Sequence, residues 1–378
     1  MTHDLPPLPA YGSGSLAEVL PGVLHCLGVP SGPDRLALNV SARTCLVLVD
    51  GLGMSALRSE PATAPFLTSL LSDSGSRAIT SVFPTTTSIA LTSLGTGLPP
   101  GRHGVTGLVM RLPDGRLVNT LALPGQTDMR SLQPHPTAFE VAEAAGVEVT
   151  RVGPRKFDGQ GLTEAGLRGG RYARAESVGE RVAAAAAAVR GAGRSLTYVY
   201  WGELDATGHR HGCGSDAWRQ ELGHVDRVVE QLAGELPRGS TLVVTSDHGM
   251  IDVPFENRWD VSTTPALDDG VEVVAGDLRG VHVHTISGAA ADVLMAWREV
   301  LGDDFWVLSR DDAVAAGLYG PVVDERVLPL IGDVVAVARK DSAVVDPRVL
   351  PDSVLGLVGL HGSVTDDELV VPLLVRHI

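Results

Sequence analysis

Short apolar runs recur along this chain, and several of them stop at an acidic or histidine residue. Cys45 to Val49 is continuously apolar, as expected of a strand buried on both faces of a parallel sheet. It ends at Asp50, followed by Gly51 and Gly53. Arg77 to Phe83 reads as a second strand and runs through Pro84 into Thr85-Thr86-Thr87-Ser88. Leu196 to Trp201 leads to Asp205 and His209, and Leu242 to Thr245 leads to Ser246-Asp247-His248-Gly249-Met250. Glu148 to Val152 adds another strand. Helical periodicity fills the intervals, over 15–27, 64–72, 90–94, 137–145, 174–190 and 217–232. The alanine run from Ala183 to Ala188 has high helix propensity and no functional content. Residues 108–123 read as a β-excursion, and 156–167 as a Gly-rich loop without a clear assignment.

From about Phe255 the pattern changes to shorter strands (271–274, 281–286, 305–307) interleaved with helices (290–301, 311–317). This order predicts a small α+β lobe over 255–337, inserted in an α/β core made of 1–254 and 338–378 and expected to act as a cap that covers the site and sets substrate choice. The expected core is a mostly parallel central sheet with helices on its faces. Because ligands of such sheets bind beyond the carboxyl ends of the strands, the polar residues that close the apolar runs should gather at one edge.

Composition narrows the partners. The 378 residues carry a formal net charge of −15 and no Lys/Arg block, which argues against binding a nucleic-acid polymer through its phosphates. A small phosphate ester remains admissible, because metal ions supply positive charge locally. Cys26, Cys45 and Cys213 are far apart and odd in number, and read as reduced thiols. The N-terminus lacks a basic segment followed by an apolar one, and no apolar run reaches membrane-spanning length, so a cytoplasmic protein without a membrane partner is expected.

Each candidate residue also has an ordinary reading. Asp50 is a metal ligand or a helix cap. The hydroxyls of Thr85 to Ser88 either cap a helix or meet a phosphate at its N-terminus. Asp205 and His209 stand one helical turn apart, a spacing that lets both point at one ion; His211 could replace His209 if the segment is a loop. Asp247 and His248 are neighbours on a turn and need partners if buried. His361 is a lone histidine near the C-terminus that would complete a set. His282 and His284 alternate on one strand and read as ordinary strand residues. Taken together, Asp50, Asp247 and His248 could form one site and Asp205, His209 and His361 another, each with the mixed carboxylate–imidazole character of an open zinc site.

As an ordered set these motifs resemble the alkaline phosphatase superfamily, in its nucleotide pyrophosphatase/phosphodiesterase-like branch. Phe83-Pro84-Thr85-Thr86-Thr87 is similar to the passage that carries the family's threonine nucleophile, which falls on Thr87. Asp205-x-x-x-His209, Ser246 to Met250 and His361-Gly362 match further family motifs, and the turn Gly97 to Gly104, with a structural His103, is similar to the one after the nucleophile helix. The resemblance implies two divalent cations (Zn²⁺ on ligand type, with Mn²⁺ as the alternative), a covalent phosphothreonine at Thr87, and a phosphate-ester substrate such as a nucleotide. It departs at Ala90, where the eukaryotic-type enzymes have an asparagine that contacts the phosphoryl group. The alternatives are a phosphomonoesterase, a phosphonate hydrolase on the same ligands, and a metal-binding pseudoenzyme. A monoesterase would want an extra cation, for which Arg111, Arg155 and Lys156 are the loop candidates. A sulfatase is disfavoured because no Cys-x-Pro-x-Arg passage occurs.

Overall fold

The computed structural model describes residues 5–121, 128–191 and 193–378; positions 1–4 of the N-terminal lead-in and 122–123 of the expected β-excursion lie outside them. In chain order the strands are β1 (Arg43–Val49), β2 (Arg77–Thr80), β3 (Val109–Arg111), β4 (Leu117–Asn119), β5 (Glu148–Gly153), β6 (Arg171–Arg174), β7 (Ser195–Trp201), β8 (Ser240–Thr245), β9 (Ile251–Asp252), β10 (Arg258–Asp260), β11 (Val271–Gly276), β12 (Gly280–Thr285), β13 (Phe305–Ser309), β14 (Val334–Ala338), β15 (Ala343–Val345), β16 (Gly359–Leu360) and β17 (Val370–His377).

A seven-stranded sheet in the order β2-β17-β8-β1-β7-β5-β6 forms the centre. The pairings β8–β1, β1–β7, β7–β5 and β5–β6 are parallel, and β17 runs antiparallel to both β8 and β2. This is the expected α/β fold with a mixed, mostly parallel sheet flanked by helices. Alternation along β1 feeds both faces. Leu46 and Leu48 join one core with Ile89 and Leu94 from the Thr87–Thr96 helix. Cys45, Val47 and Val49 join the other with Trp218, Leu222 and Val225 from the Asp216–Glu235 helix. The side chains of β1 therefore bury on both sides, which is why its sequence is apolar without a period of two.

A second sheet has the order β13-β14-β12-β11-β3-β4. It draws on the hairpin at 109–119 as well as on strands between 271 and 338, so it is not confined to the segment 255–337. The turn between β11 and β12 meets the central unit through Arg279, whose guanidinium pairs with Glu368 at 2.7 Å, both side chains fully buried. Gly53 and Gly249 let two turns of the central unit close on the carbonyl oxygen of Asp367; a Cβ on either would collide with it.

Two segments differ from the sequence expectation. The loop 156–167 contains a helix, Gly161–Gly166, and the strand β6 stands where the next helix was expected to begin, that helix starting instead at Val178. β6 is a polar edge strand (Arg171-Tyr172-Ala173-Arg174) with no residue classed as buried, so it lacks the apolar run by which a strand is read. The three cysteines are free thiols, with Cys26 and Cys45 buried. Among the described residues no helix is long and apolar enough to cross a membrane.

Candidate active site

The three middle strands β8, β1 and β7 end side by side, and their ends carry the acidic residues. Asp50 follows β1 directly, and Asp247 follows β8 by one residue beyond Ser246. Asp205 and His209 lie on the Glu203–His211 helix after β7, one turn apart. His209 enters the cluster, whereas His211, at the end of that helix, is exposed. His361 arrives on the turn after β16. Thr87 is the first residue of its helix; Thr86 before it is extended (φ −139°), and Gly97 ends the helix in the left-handed region (φ 70°).

Hydrogen bonds fix how the three histidines are protonated. Nδ1 of His248 donates to the Gly249 carbonyl (3.0 Å), Nδ1 of His361 to the Thr85 carbonyl (2.8 Å) and Nδ1 of His209 to the Gly359 carbonyl (2.7 Å). A carbonyl only accepts, so Nδ1 carries a proton and each ring turns its Nε2 toward the cluster. Burial holds His248 below its ordinary pKa, and burial together with the neighbouring His248 and His209 does so for His361.

These nitrogens face acceptors. Nε2 of His361 and Nε2 of His209 are 3.2 Å apart. Asp205 Oδ1 is 3.4 Å from the His209 nitrogen and 3.9 Å from that of His361. Nε2 of His248 lies 3.5 Å from Asp50 Oδ1 and 3.6 Å from Asp247 Oδ2. The oxygens Asp50 Oδ1, Asp205 Oδ1 and Asp247 Oδ2 are buried and have no hydrogen-bond partner. Donor atoms of Asp50, Asp247 and His248 lie within 4.8 Å of one another, as do those of Asp205, His248 and His361. Both expected sets therefore converge, with His248 within reach of each; its ring stacks on that of His361 at 3.7 Å between centroids. Thr87 Oγ1, 3.2 Å from His248 Nε2, stands at the edge of the cluster.

Burial and mutual repulsion raise the carboxyl pKa values. Asp205 is pushed up to about 8 by burial and then by Asp50; Asp247 is raised to about 7 by burial and then by Asp205; Asp50 is raised by burial and then by Asp247. Carboxylates and imidazoles crowded together in a dry site are costly to keep charged. Divalent cations satisfy all of them at once, so the donor set fits a pair of such ions.

The reading of other histidines also meets the structure. His103 is fully buried, bonded to Ser93 Oγ and to the Val105 amide, and burial lowers its pKa to about 3. His282 bonds the Tyr319 hydroxyl at 2.7 Å inside the second sheet. Ala90 is fully buried in the central core, so no phosphoryl contact comes from that position. Arg111 is paired with Glu272, while Lys156 reaches the rim of the site.

A cavity of about 500 Å³ opens beside the cluster, with Asp50, Thr87 and Asp205 on its wall. Two further wall residues escaped the sequence reading. Tyr200 donates its hydroxyl to Asp50 Oδ2 and so fixes which Asp50 oxygen is left open. Arg151 lies within β5. Its signal was available: a guanidinium inside a strand buried on both faces needs a partner, and none stands out in the sequence.

Comparison with known proteins gives one consistent picture. A family model described as "Type I phosphodiesterase / nucleotide pyrophosphatase" matches residues 44–363. The human and mouse ectonucleotide pyrophosphatase/phosphodiesterase family member 7 are 41% identical over 63 residues and 39% identical over 64, but these matches span only 14% and 15% of those proteins. Solved structures are similar over most of the chain. The murine ectonucleotide pyrophosphatase/phosphodiesterase 5, an inactive variant in complex with AMP, is 18% identical with a TM-score of 0.68, covering 87% of each chain. Phosphonoacetate hydrolase from Sinorhizobium meliloti 1021, in complex with phosphonoformate, is 20% identical with a TM-score of 0.65, covering 88% of this chain and 89% of that one. At such identities the likeness speaks for the fold.

Proposed function

The chain belongs to the type I phosphodiesterase/nucleotide pyrophosphatase family, and from that premise we propose that it is a metal-dependent hydrolase of phosphate esters, a phosphodiesterase or nucleotide pyrophosphatase, with Thr87 as its nucleophile. The observation that carries this reading is the convergence of three imidazole nitrogens and three unpartnered carboxylate oxygens beside one threonine hydroxyl.

In this reading Asp50, Asp247 and His248 hold one cation and Asp205, His209 and His361 a second. Zn²⁺ suits the mixed donor set, and Mn²⁺ is the next choice. When bound, the ions supply Lewis acidity to the ester oxygens. The chain's own groups do the rest. Carbonyls of Gly249, Thr85 and Gly359 lock the imidazole tautomers. The helix start presents the Thr87 hydroxyl together with first-turn N–H groups, which are donors suited to phosphoryl oxygens. The Thr87 oxygen forms a bond to phosphorus, the ester P–O bond breaks, and the hydroxyl proton ends on the departing alcohol. Water then cleaves the phosphothreonine, restoring the hydroxyl and leaving the new O–H on phosphorus.

We also read 1–254 with 338–378 as the catalytic core and 255–337 as an inserted lobe. Asp277 of the lobe packs against Gly362, which supports a bracing role behind His361. The cavity walls carry residues of 151–172 and 198–206 and none of 255–337, so substrate choice is assigned to the former.

The deciding experiment measures turnover of bis-p-nitrophenyl phosphate against p-nitrophenyl phosphate on zinc-loaded protein. The diester is expected to be preferred, and Thr87→Ala to lower kcat by about a thousandfold with metal content unchanged by mass spectrometry. Turnover surviving in that variant would remove Thr87 from the reaction. A second reading, phosphonate hydrolysis, is kept because of the near-equal likeness to phosphonoacetate hydrolase; phosphate release from phosphonoacetate tests it.

A further inference from the structure

Arg151 is a buried cation with unused donors. Its side chain lies on the wall of the cavity that also holds Thr87 and Asp50, and the residue is only 8% exposed. Its Nε and Nη1 are buried without any hydrogen-bond partner. Nη2 makes one long contact, 3.5 Å to the Gly170 carbonyl. The Tyr172 ring lies under the guanidinium, 5.4 Å from its carbon, and among the described residues no carboxylate pairs with it. A guanidinium is not discharged by burial, so its open N–H groups must find an acceptor or pay the cost of desolvation.

The neighbouring strand repeats the situation. Arg151 pairs in register with Tyr198, and the Tyr198 hydroxyl is likewise buried, unpartnered and on the cavity wall. Lys156 stands on the same wall, its ammonium 4.8 Å from the Phe157 ring centroid. Arg151 and Tyr198 thus line one space together with the exposed Lys156, and among the described residues no acceptor meets Nε and Nη1 of Arg151 or the Tyr198 hydroxyl. Tyr200, which bonds Asp50, is two residues further along β7 than the partner of Arg151. At about 3.3 Å per residue along a strand and about 4.8 Å between strands, the Arg151 backbone is about 8 Å from that of Tyr200.

We infer that Arg151 and Tyr198 form an anion subsite, so that the substrate is a phosphate ester whose substituent carries a second anionic oxygen group, a carboxylate or a phosphate. This deepens the proposed hydrolase reading and rests on it for the word substrate, but the subsite itself rests on Arg151 and Tyr198. Arg151 is here a specificity residue that touches the far end of the ligand, away from the reacting phosphorus.

Two measurements separate the claims. The first compares kcat/KM for 4-nitrophenyl 3-carboxypropyl phosphate, its 3-phosphonopropyl analogue and 4-nitrophenyl butyl phosphate, whose substituent carries no charge. Wild type is expected to prefer an ester with a charged substituent by about tenfold to hundredfold, as for a hydrogen bond to a charged group. Arg151→Met should erase the preference, lowering kcat/KM for the two esters with charged substituents about tenfold or more relative to the butyl ester, and Arg151→Lys should restore part of it. Which charged substituent leads tells carboxylate from phosphate. The second measures calorimetric binding of 3-phosphonopropionate against propylphosphonate to the same proteins and needs no turnover. A wild-type binding preference lost in Arg151→Met upholds the subsite even if no ester is hydrolysed, in which case the hydrolase reading falls alone. Equal handling of the esters with charged and uncharged substituents and equal binding of the two phosphonates would overturn the subsite, whatever the rate of hydrolysis. A preference unchanged in Arg151→Met would overturn the role of Arg151.

Discussion

The two sides of the cavity have opposite needs. One side is crowded with carboxylates and imidazoles: Asp50, Asp205 and Asp247 with His209, His248 and His361. The other offers donors: Arg151, whose one contact is long, and the Tyr198 hydroxyl, unpartnered among the described residues, with Lys156 at the rim. Both rest on adjoining strands of one sheet, and both are unsatisfied by the protein alone. Buried polar groups are almost always paired, so a cluster left open marks a ligand, and its sign says which kind. The acidic side favours cations and the opposite wall an anion, in keeping with the proposed metal-assisted reaction on a substrate with two anionic centres.

The comparison breaks first on the acidic side. Asp247→Asn should lower activity by about a thousandfold or more, the loss of one Lewis-acid contribution of several kcal/mol, and should lower the bound metal by about one equivalent in mass spectrometry. The same substitution should stabilise the metal-free protein at pH 8 against urea, because it removes a buried carboxylate that repels Asp50 and Asp205. If it destabilises instead, the cluster is not frustrated and the case for cations weakens.

A smaller effect follows from pH. Asp205 and Asp247 have folded pKa values of about 8 and about 7, against an ordinary 3.8. Between pH 4 and 8 the metal-free folded protein therefore keeps protons that the unfolded chain has released. Stability contributed by these groups falls as pH rises through that window and levels off above it. Urea midpoints of chelated protein should drop from pH 5 to pH 8, and added Zn²⁺ should flatten or reverse the slope, since the ions bind the deprotonated carboxylates. A flat profile in chelated protein would contradict the raised values.

The smallest effect sharpens the boundary between the two sides. Tyr200 belongs to the cavity wall but donates to Asp50. Tyr200→Phe should weaken metal binding by about tenfold, as for other partners of ligand residues, leaving the preference for charged substituents intact. A loss of that preference in Tyr200→Phe would merge the two sides into one network.

The acidic side was legible in the sequence because its residues close apolar runs or sit at helix spacing: Asp50, Asp247-His248 and Asp205-x-x-x-His209 announce strand ends and a helical turn. Thr87 and His361 needed the family resemblance, since a Thr cluster after a proline and a lone histidine have ordinary explanations. Arg151 and Tyr198 were not read, because they lie within strands and become neighbours only when β5 and β7 pair. Residues 161–166 form a helix despite two glycines, and β6 hides in a polar segment because an edge strand needs no apolar run. The hairpin β3–β4 was anticipated as β-structure, but its place at the edge of the second sheet depends on a contact with Gly276, far along the chain.

The position of β17 sets a schedule for synthesis. This strand, residues 370–377, lies between β2 and β8, and His361 and Asp367 precede it by only a few residues. As the chain leaves the ribosome, β8 therefore waits with one edge unpaired while well over a hundred later residues are made, at a pace of about 5 to 20 residues per second. Asp50, Asp205, His209, Asp247 and His248 are translated before that interval, and His361 only near its end. Of the two proposed ion sites, the one that includes His361 is thereby completed last, and the exposed edge of β8 is the point at which a nascent chain would need a chaperone.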